Sequence, residues 1–115
     1  RADLFVIGGS SATAYDDLLA ATPSTVRLVM VDGRALYGDQ VLQAAGPAAP
    51  GCEAFPVCGV SKFLCAAETT NTDKLDQTFT QYQGALVSAL ATYDTSVASL
   101  GIAAFTPIAK LTQCP

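Results

Sequence analysis

The chain has 115 residues, with six Lys plus Arg against ten Asp plus Glu and a formal charge of −4, the length of one domain rather than of a large enzyme. Half of the residues are hydrophobic and 14% are charged, which excludes a disordered tail, because such a tail lacks the apolar surface that offsets ordering entropy. His and Trp are absent and the basic residues are scattered singly, so a Ser-His-Asp triad, an imidazole-held metal and a nucleic-acid footprint are all excluded within these residues.

In chain order, residues 2–7 read Ala-Asp-Leu-Phe-Val-Ile and stop at Gly8-Gly9, a β-branched and aromatic run closed by glycine that predicts a strand. The chain opens on Arg1, and the apolar run 4–7 is too short for a signal segment, so a processed or excised start is expected. Residues 13–21 predict a helix with Thr13 as its N-cap and with Asp16 and Asp17 in the first turn, where the helix dipole favours carboxylates. That placement accounts for both acids without catalysis. Gly8-Gly9-Ser10-Ser11 follows a strand, but it lacks the spacing of a dinucleotide-binding turn and reads as a strand terminator.

The strongest local signal is residues 26–31, Val-Arg-Leu-Val-Met-Val, followed by Asp32-Gly33 and Arg34-Ala-Leu-Tyr37. Asp-Gly supplies the positive φ of a two-residue type I′ turn, so an antiparallel hairpin is predicted. The nearly continuous apolar run implies that both faces of this strand are covered, by this chain or by another. Residues 38–46 predict a short helix, and the proline-rich stretch 46–51 is a connector.

Cys52, Cys58, Cys65 and Cys114 lack paired C-x₂-C knuckles, so two disulfides and an oxidising compartment are favoured over a Cys₄ metal site or four reduced core cysteines. Four cysteines permit three pairings. With residues 61–68 read as a short helix that turns Cys65 away from Cys58, the expected pairs are Cys52–Cys58 and Cys65–Cys114. A long C-terminal helix is then predicted, capped by Asn71 or Thr72 and ending at Gly101. Leu75, Phe79, Tyr82, Leu86, Leu90, Tyr93 and Val97 fall on one apolar face, and Asp76, Thr80, Gln83 and Asp94 on a solvated one. Gly84 within it suggests close packing. The stretch 77–93 is too polar and too short for a membrane span.

No phosphate-binding loop, nucleophile elbow, zinc-protease motif or C-x-x-C redox pair is present, and no catalytic, cofactor-binding or metal-binding residue is assigned. The segments Ala2-Asp-Leu-Phe-Val-Ile7 and Val26-Arg-Leu-Val-Met-Val-Asp-Gly-Arg-Ala-Leu-Tyr-Gly38 together resemble the C-terminal end of the amidohydrolase superfamily, the metal-dependent hydrolases of the imidazolonepropionase, dihydroorotase and cytosine deaminase types. In that family a stretch of the form ADLVVLDG, an insert with a small helix and a stretch of the form V…VMVDGRVVYG close the chain. The resemblance covers the first third of the sequence. It implies the post-barrel part of a small composite β-sandwich whose parent enzyme binds a divalent metal such as zinc on barrel strands that have no counterpart here. Residues 52–115 match no part of that pattern.

The fold class expected is therefore α+β: a small antiparallel sheet, part of a composite sandwich, followed by a disulfide-stapled, mainly helical extension with one long C-terminal helix. Residues 1–46 would form the sheet and 47–115 the extension, as one structural domain. The expected function is that of a non-catalytic C-terminal segment of a periplasmic or extracellular amidohydrolase-like enzyme acting on C–N bonds. Its partners would be the rest of the parent chain, namely the barrel and N-terminal strands, or a second copy through the apolar strands. The alternative is a free-standing, disulfide-stapled module that binds another protein.

Overall fold

The computed structural model describes residues 3–47, 51–67, 77–107 and 114. The architecture is α+β. Among the described residues five strands, β1 (Leu4–Ile7), β2 (Val26–Val31), β3 (Arg34–Asp39), β4 (Cys52–Ala54) and β5 (Lys62–Cys65), form one antiparallel sheet in the order β1-β2-β3-β5-β4. A short helix, α1 (Ala14–Leu19), connects β1 to β2, a 3₁₀ segment spans Gln40–Ala45, and a long helix, α2 (Phe79–Val97), follows the sheet.

The β2–β3 hairpin forms as its sequence dictates. Asp32 and Gly33 take φ values of 54° and 77°, the paired positive φ that lets a two-residue turn follow the twist of its strands. Register shifts by one residue between Val29 and Met30, leaving Leu36 as an extra residue on β3, and again where β1 meets β2, leaving Arg27 as an extra residue on β2. Each is a bulge that re-aims the side chains on either side of it.

Directly opposed residues share a face of a sheet, so the register sorts the side chains into two rows. One row, Val6, Leu28, Gly38, Phe63 and Ala54, crosses all five strands. Its centre is the core, where Leu28, Phe63 and the nearby Ala35 and Cys65 are buried, with Met30, Leu36, Leu42 and Cys52 packed against them. Leu42 belongs to the 3₁₀ segment, which therefore closes this face. The adjacent row, Phe5, Val29, Tyr37, Leu64 and Glu53, also crosses all five strands and lies on the opposite face by the pleat. Phe5 in that row is 51% exposed, and Val29, Tyr37 and Leu64 are half-buried.

The helix expected over 61–68 is not formed by the described residues 61–67; Lys62–Cys65 is strand β5. The reason is the turn before it. Cys58 and Gly59 take φ values of 50° and 78°, and Val57 and Val60 exchange backbone hydrogen bonds of 3.0 and 2.9 Å across them, a second two-residue hairpin of the same kind as Asp32-Gly33. The sheet thus draws its five strands from both sides of residue 46.

Helix α2 begins at Thr78, whose hydroxyl accepts from the Gln81 amide while the Gln81 side chain accepts from the Thr78 amide, a reciprocal capping box. The expected caps Asn71 and Thr72, and Leu75 and Asp76 of the two faces, lie outside the described residues. The helix ends as expected, through a 3₁₀ turn to Gly101 at φ 69°, the left-handed stop that glycine adopts without a Cβ penalty. The apolar stripe is partly covered. Among its described residues Val97 is buried, Phe79, Tyr82 and Leu90 are half-buried, and Leu86 and Tyr93 are 53 and 47% exposed. The space around Gly84 is open, and a Cβ placed on it would have no atom of another segment within 4 Å, so the expected close packing there is absent. Among the described residues no helix is long and apolar enough to cross a membrane.

Candidate functional site

All four cysteines are in disulfides, but not in the expected pairs: the bonds are Cys52–Cys65 and Cys58–Cys114. The hairpin explains the correction. Strand β4 carries the chain away from Cys52 toward a tip at Cys58, and six extended residues span about 20 Å, so those two cannot meet. Cys52 instead faces Cys65 as its register partner across β4 and β5, and the tip is left for Cys114, 56 residues on, at a Cα separation of 5.3 Å. Two such bonds are compatible with an oxidising compartment.

The two bonds occupy unlike surroundings. Cys65 is 6% exposed and belongs to the core cluster with Leu28, Ala35 and Phe63, and Cys52 packs against that cluster. Cys58 is half-buried and Cys114 exposed.

Lys62 is the side chain that sequence reasoning missed. It is 1% exposed, and its ammonium donates to the Val26 carbonyl at 2.8 Å and to Asp39 Oδ1 at 2.5 Å. Asp39 is the register partner of Lys62 across β3 and β5. Its other oxygen accepts from Arg27 Nε at 3.0 Å, the arginine of the β2 bulge. The hydrogen bond from Lys62, reinforced by Arg27, holds the Asp39 carboxyl below its ordinary range against the opposing effect of burial. Burial, with the Asp39 charge beside it, pushes the Tyr37 phenol up, and that hydroxyl donates to the Pro23 carbonyl at 2.6 Å. These groups tie β2, β3 and β5 together through hydrogen bonds made within the chain. The cluster holds the sheet together across three strands.

Of the acidic pair in the first helix, Asp17 is tied into the local structure. Thr13 is at the N-cap but makes no cap hydrogen bond with its side chain; its hydroxyl donates to Asp17 Oδ2 at 2.8 Å, and the Ser10 amide donates to the same oxygen at 2.8 Å. These bonds, that from Ser10 first, hold the Asp17 carboxyl low. A Cβ on Gly9 would lie 2.5 Å from Asp17 Oδ2, so the glycine is required for the close approach. The depression lined by Ile7, Gly9, Ser10, Ser11, Ala14 and Asp17 is thus occupied at its polar end by the chain's own carboxylate. An anion has no place there.

The face of α2 expected to be solvated carries two further ties. Asp94 accepts from the Phe105 amide at 2.8 Å, the Thr106 amide at 2.9 Å and the Thr106 hydroxyl at 2.6 Å, and the Thr106 hydroxyl above all holds this carboxyl low. Phe105 meets Tyr93 edge-on at 5.6 Å, so residues 102–107 fold back along the helix. At the other end the Thr80 amide donates to Glu53 Oε2 at 3.2 Å and Phe79 meets Phe55 edge-on at 4.8 Å, which seats the start of α2 against the β4 edge. The Thr80 side chain, ahead of the amides at this helix end, holds the Glu53 carboxyl low.

Among the described residues no group of three His, Cys, Asp or Glu side chains is placed to hold a metal ion. No protein-family model, curated protein or solved structure matches the chain.

Proposed function

We propose that this chain is the non-catalytic C-terminal segment of an amidohydrolase-like hydrolase acting on C–N bonds, with its sheet serving as one layer of a composite β-sandwich. The observation that carries this reading is the row Phe5, Val29, Tyr37 and Leu64, which crosses four of the five strands before it ends at Glu53 on β4 and stays half-buried or exposed. A one-sided sheet presents polar groups on its outer face, whereas a sandwich layer presents apolar rows to a second sheet about 10 Å away. The resemblance of residues 2–7 and 26–38 to the segments that close amidohydrolase chains supplies the identity of the partner layer: strands of the parent chain that precede its barrel. In this reading the metal, such as zinc, and every catalytic group belong to that barrel. The two disulfides support a periplasmic or extracellular location.

The alternative reading, a free-standing protein-binding module, draws on a different observation: Leu86, Val87 and Tyr93 remain exposed on α2, and an amphipathic helix face is a common docking element. One experiment separates the two. An antibody against the stretch 62–76 is used to purify the native polypeptide from its source under reducing, denaturing conditions, and its mass is measured. A species several times heavier than 11.8 kDa that shows metal-dependent amidase activity in its native form supports the hydrolase reading. A single 11.8 kDa species overturns it in favour of the module.

A further inference from the structure

We propose that β1 pairs, antiparallel and about a two-fold axis at Phe5, with β1 of a second copy of this chain. The pairing stands or falls independently of the hydrolase reading, because it uses the margin of the sheet and leaves both faces as they are.

The backbone decides which groups are open. In an extended strand the N–H and C=O of one residue point to the same side, and successive residues alternate between the two sides. The Gly8 amide donates to the Thr25 carbonyl at 3.0 Å, so Gly8, Val6 and Leu4 direct their groups at β2. Phe5 and Ile7, with Asp3 before them, direct theirs away from it. The extra residue of the bulge, Arg27, belongs to β2 and leaves the alternation along β1 intact. Among the described residues β1 is an outermost strand, so these outward groups have no ladder partner there.

That alternation restricts the register. Two copies exchange hydrogen bonds only where outward residues oppose outward residues. With Phe5 opposite Phe5 of the second copy, Asp3 and Ile7 oppose Ile7 and Asp3, and each such pair exchanges two N–H···O bonds. Between them Leu4 opposes Val6 in both directions.

The side chains favour this register over its neighbours. Leu4 and Phe5 are 47 and 51% exposed, while Val6 packs against the core cluster. Opposed residues share a face, so Leu4 is laid over Val6 of the second copy on the core side, and Phe5 meets its counterpart on the other. Moving the axis to Val6 sets Leu4 against Gly8, and moving it to Leu4 sets Phe5 against Asp3; each leaves one of the two exposed side chains without an apolar partner.

Charge agrees. β1 reads Leu-Phe-Val-Ile and carries neither the lysine nor the proline that guards an exposed edge. The nearest acid, Asp3, accepts from the Asp32 amide at 2.8 Å through Oδ1, and the register opposes it to Ile7 rather than to a second acid. The strand is thus complementary to itself, the condition for a two-fold contact. Residues 3–7 of each copy make a small contact, in the class of weak interfaces under about 1,200 Å², so the pair forms as concentration rises.

The test uses the full chain with its disulfides intact. Sedimentation equilibrium and amide hydrogen exchange are followed over one concentration series. The mass is expected to rise from 11.8 kDa towards double that value by about 1 mM, with exchange at Phe5 and Ile7 slowing in step and exchange at Val6 unchanged. Phe5→Pro removes an outward amide and no β1–β2 bond, a placement that edge strands accept, and is expected to give a folded monomer. Leu4→Lys keeps every backbone group, so it carries the test even if Phe5→Pro fails to fold, and is expected to weaken the pair by at least about tenfold. A chain that stays monomeric to about 1 mM with Phe5 and Ile7 exchanging freely overturns the proposal and leaves the margin to a strand of a different protein. Protection of both amides already in the dilute monomer overturns it in favour of another segment of the same chain. A dimer that forms with both amides unprotected and survives Leu4→Lys overturns it as well, since its contact lies elsewhere.

Discussion

Replacing Asp39 by Asn tests whether the Lys62 cluster governs the stability of the sheet. The substitution keeps the shape of the side chain but leaves the Lys62 ammonium, 1% exposed, with the Val26 carbonyl and a neutral amide. Removing one partner of a buried ion pair destabilises by about 3–5 kcal/mol, because the remaining charge stays desolvated. Lys62→Met removes that charge while a thioether fills its stem. Asp39 then keeps Arg27 at 3.0 Å and sits at a site 17% exposed, and the main loss is the donor to Val26, so a loss of about 1–2 kcal/mol is expected. The double variant should resemble Lys62→Met alone, which makes the two substitutions non-additive by about 3 kcal/mol. Urea unfolding followed by circular dichroism measures all four corners of the cycle. An Asp39→Asn loss below about 1 kcal/mol, or additivity within about 0.5 kcal/mol, would refute the argument.

Four other outcomes are expected. Gly84→Ala should stabilise α2 by up to about 1 kcal/mol, since its surroundings are open; an unchanged or lower melting temperature would count against the open geometry. Gly38→Ala should do the reverse, because its Cβ would lie 2.5 Å from the Arg27 carbonyl oxygen, backbone that cannot yield cheaply; a loss of about 1–3 kcal/mol in thermal unfolding is expected. Cys52→Ala with Cys65→Ala should lower the stability of the sheet by about 3 kcal/mol on loop-entropy grounds for a separation of 13 residues, and an unchanged urea midpoint would exclude that. Asp17, Asp39, Glu53 and Asp94 are all held below their ordinary values of 3.8 or 4.5, so below about pH 5 the unfolded chain binds more protons than the folded one. Stability should therefore be fully present above the unfolded values and fall as pH drops through the lower folded ones, which acid titration of the melting temperature checks.

What the sequence made legible was local. Asp32-Gly33, Gly101 and the apolar runs 4–7 and 26–31 carry their geometry in residue type, and the hairpin, the helix stop and the first three strands follow from them. Cys58-Gly59 between Val57 and Val60 carries the same turn signal more weakly, because Cys is not a turn residue, and the helix expected over 61–68 follows from missing it. That single misreading displaced both disulfides. Lys62 was not legible at all: a lysine between Ser61 and Phe63 says nothing of burial, which arises only when β5 pairs with β3 and brings it opposite Asp39. Asp94 escaped for a related reason, since its donors Phe105 and Thr106 are more than ten residues away. Periodicity identified the stripe on α2 correctly as apolar but could not say whether anything lies against it.

The order β1-β2-β3-β5-β4 places two very different strands at the margins of the sheet. β4 has three residues, is crosslinked to its neighbour by Cys52–Cys65 and runs into Pro56, which has no amide hydrogen. It is a poor template for another strand. β1 has four residues without proline, and its Leu4 and Phe5 are about half exposed. Among the described residues, extension of the sheet by strand addition is therefore directional, open at one margin and blunt at the other. Two copies that met through β1 would consume both receptive margins in one two-fold contact and leave β4 at each end, so assembly by this route closes at a pair of sheets joined edge to edge and cannot propagate into a fibre.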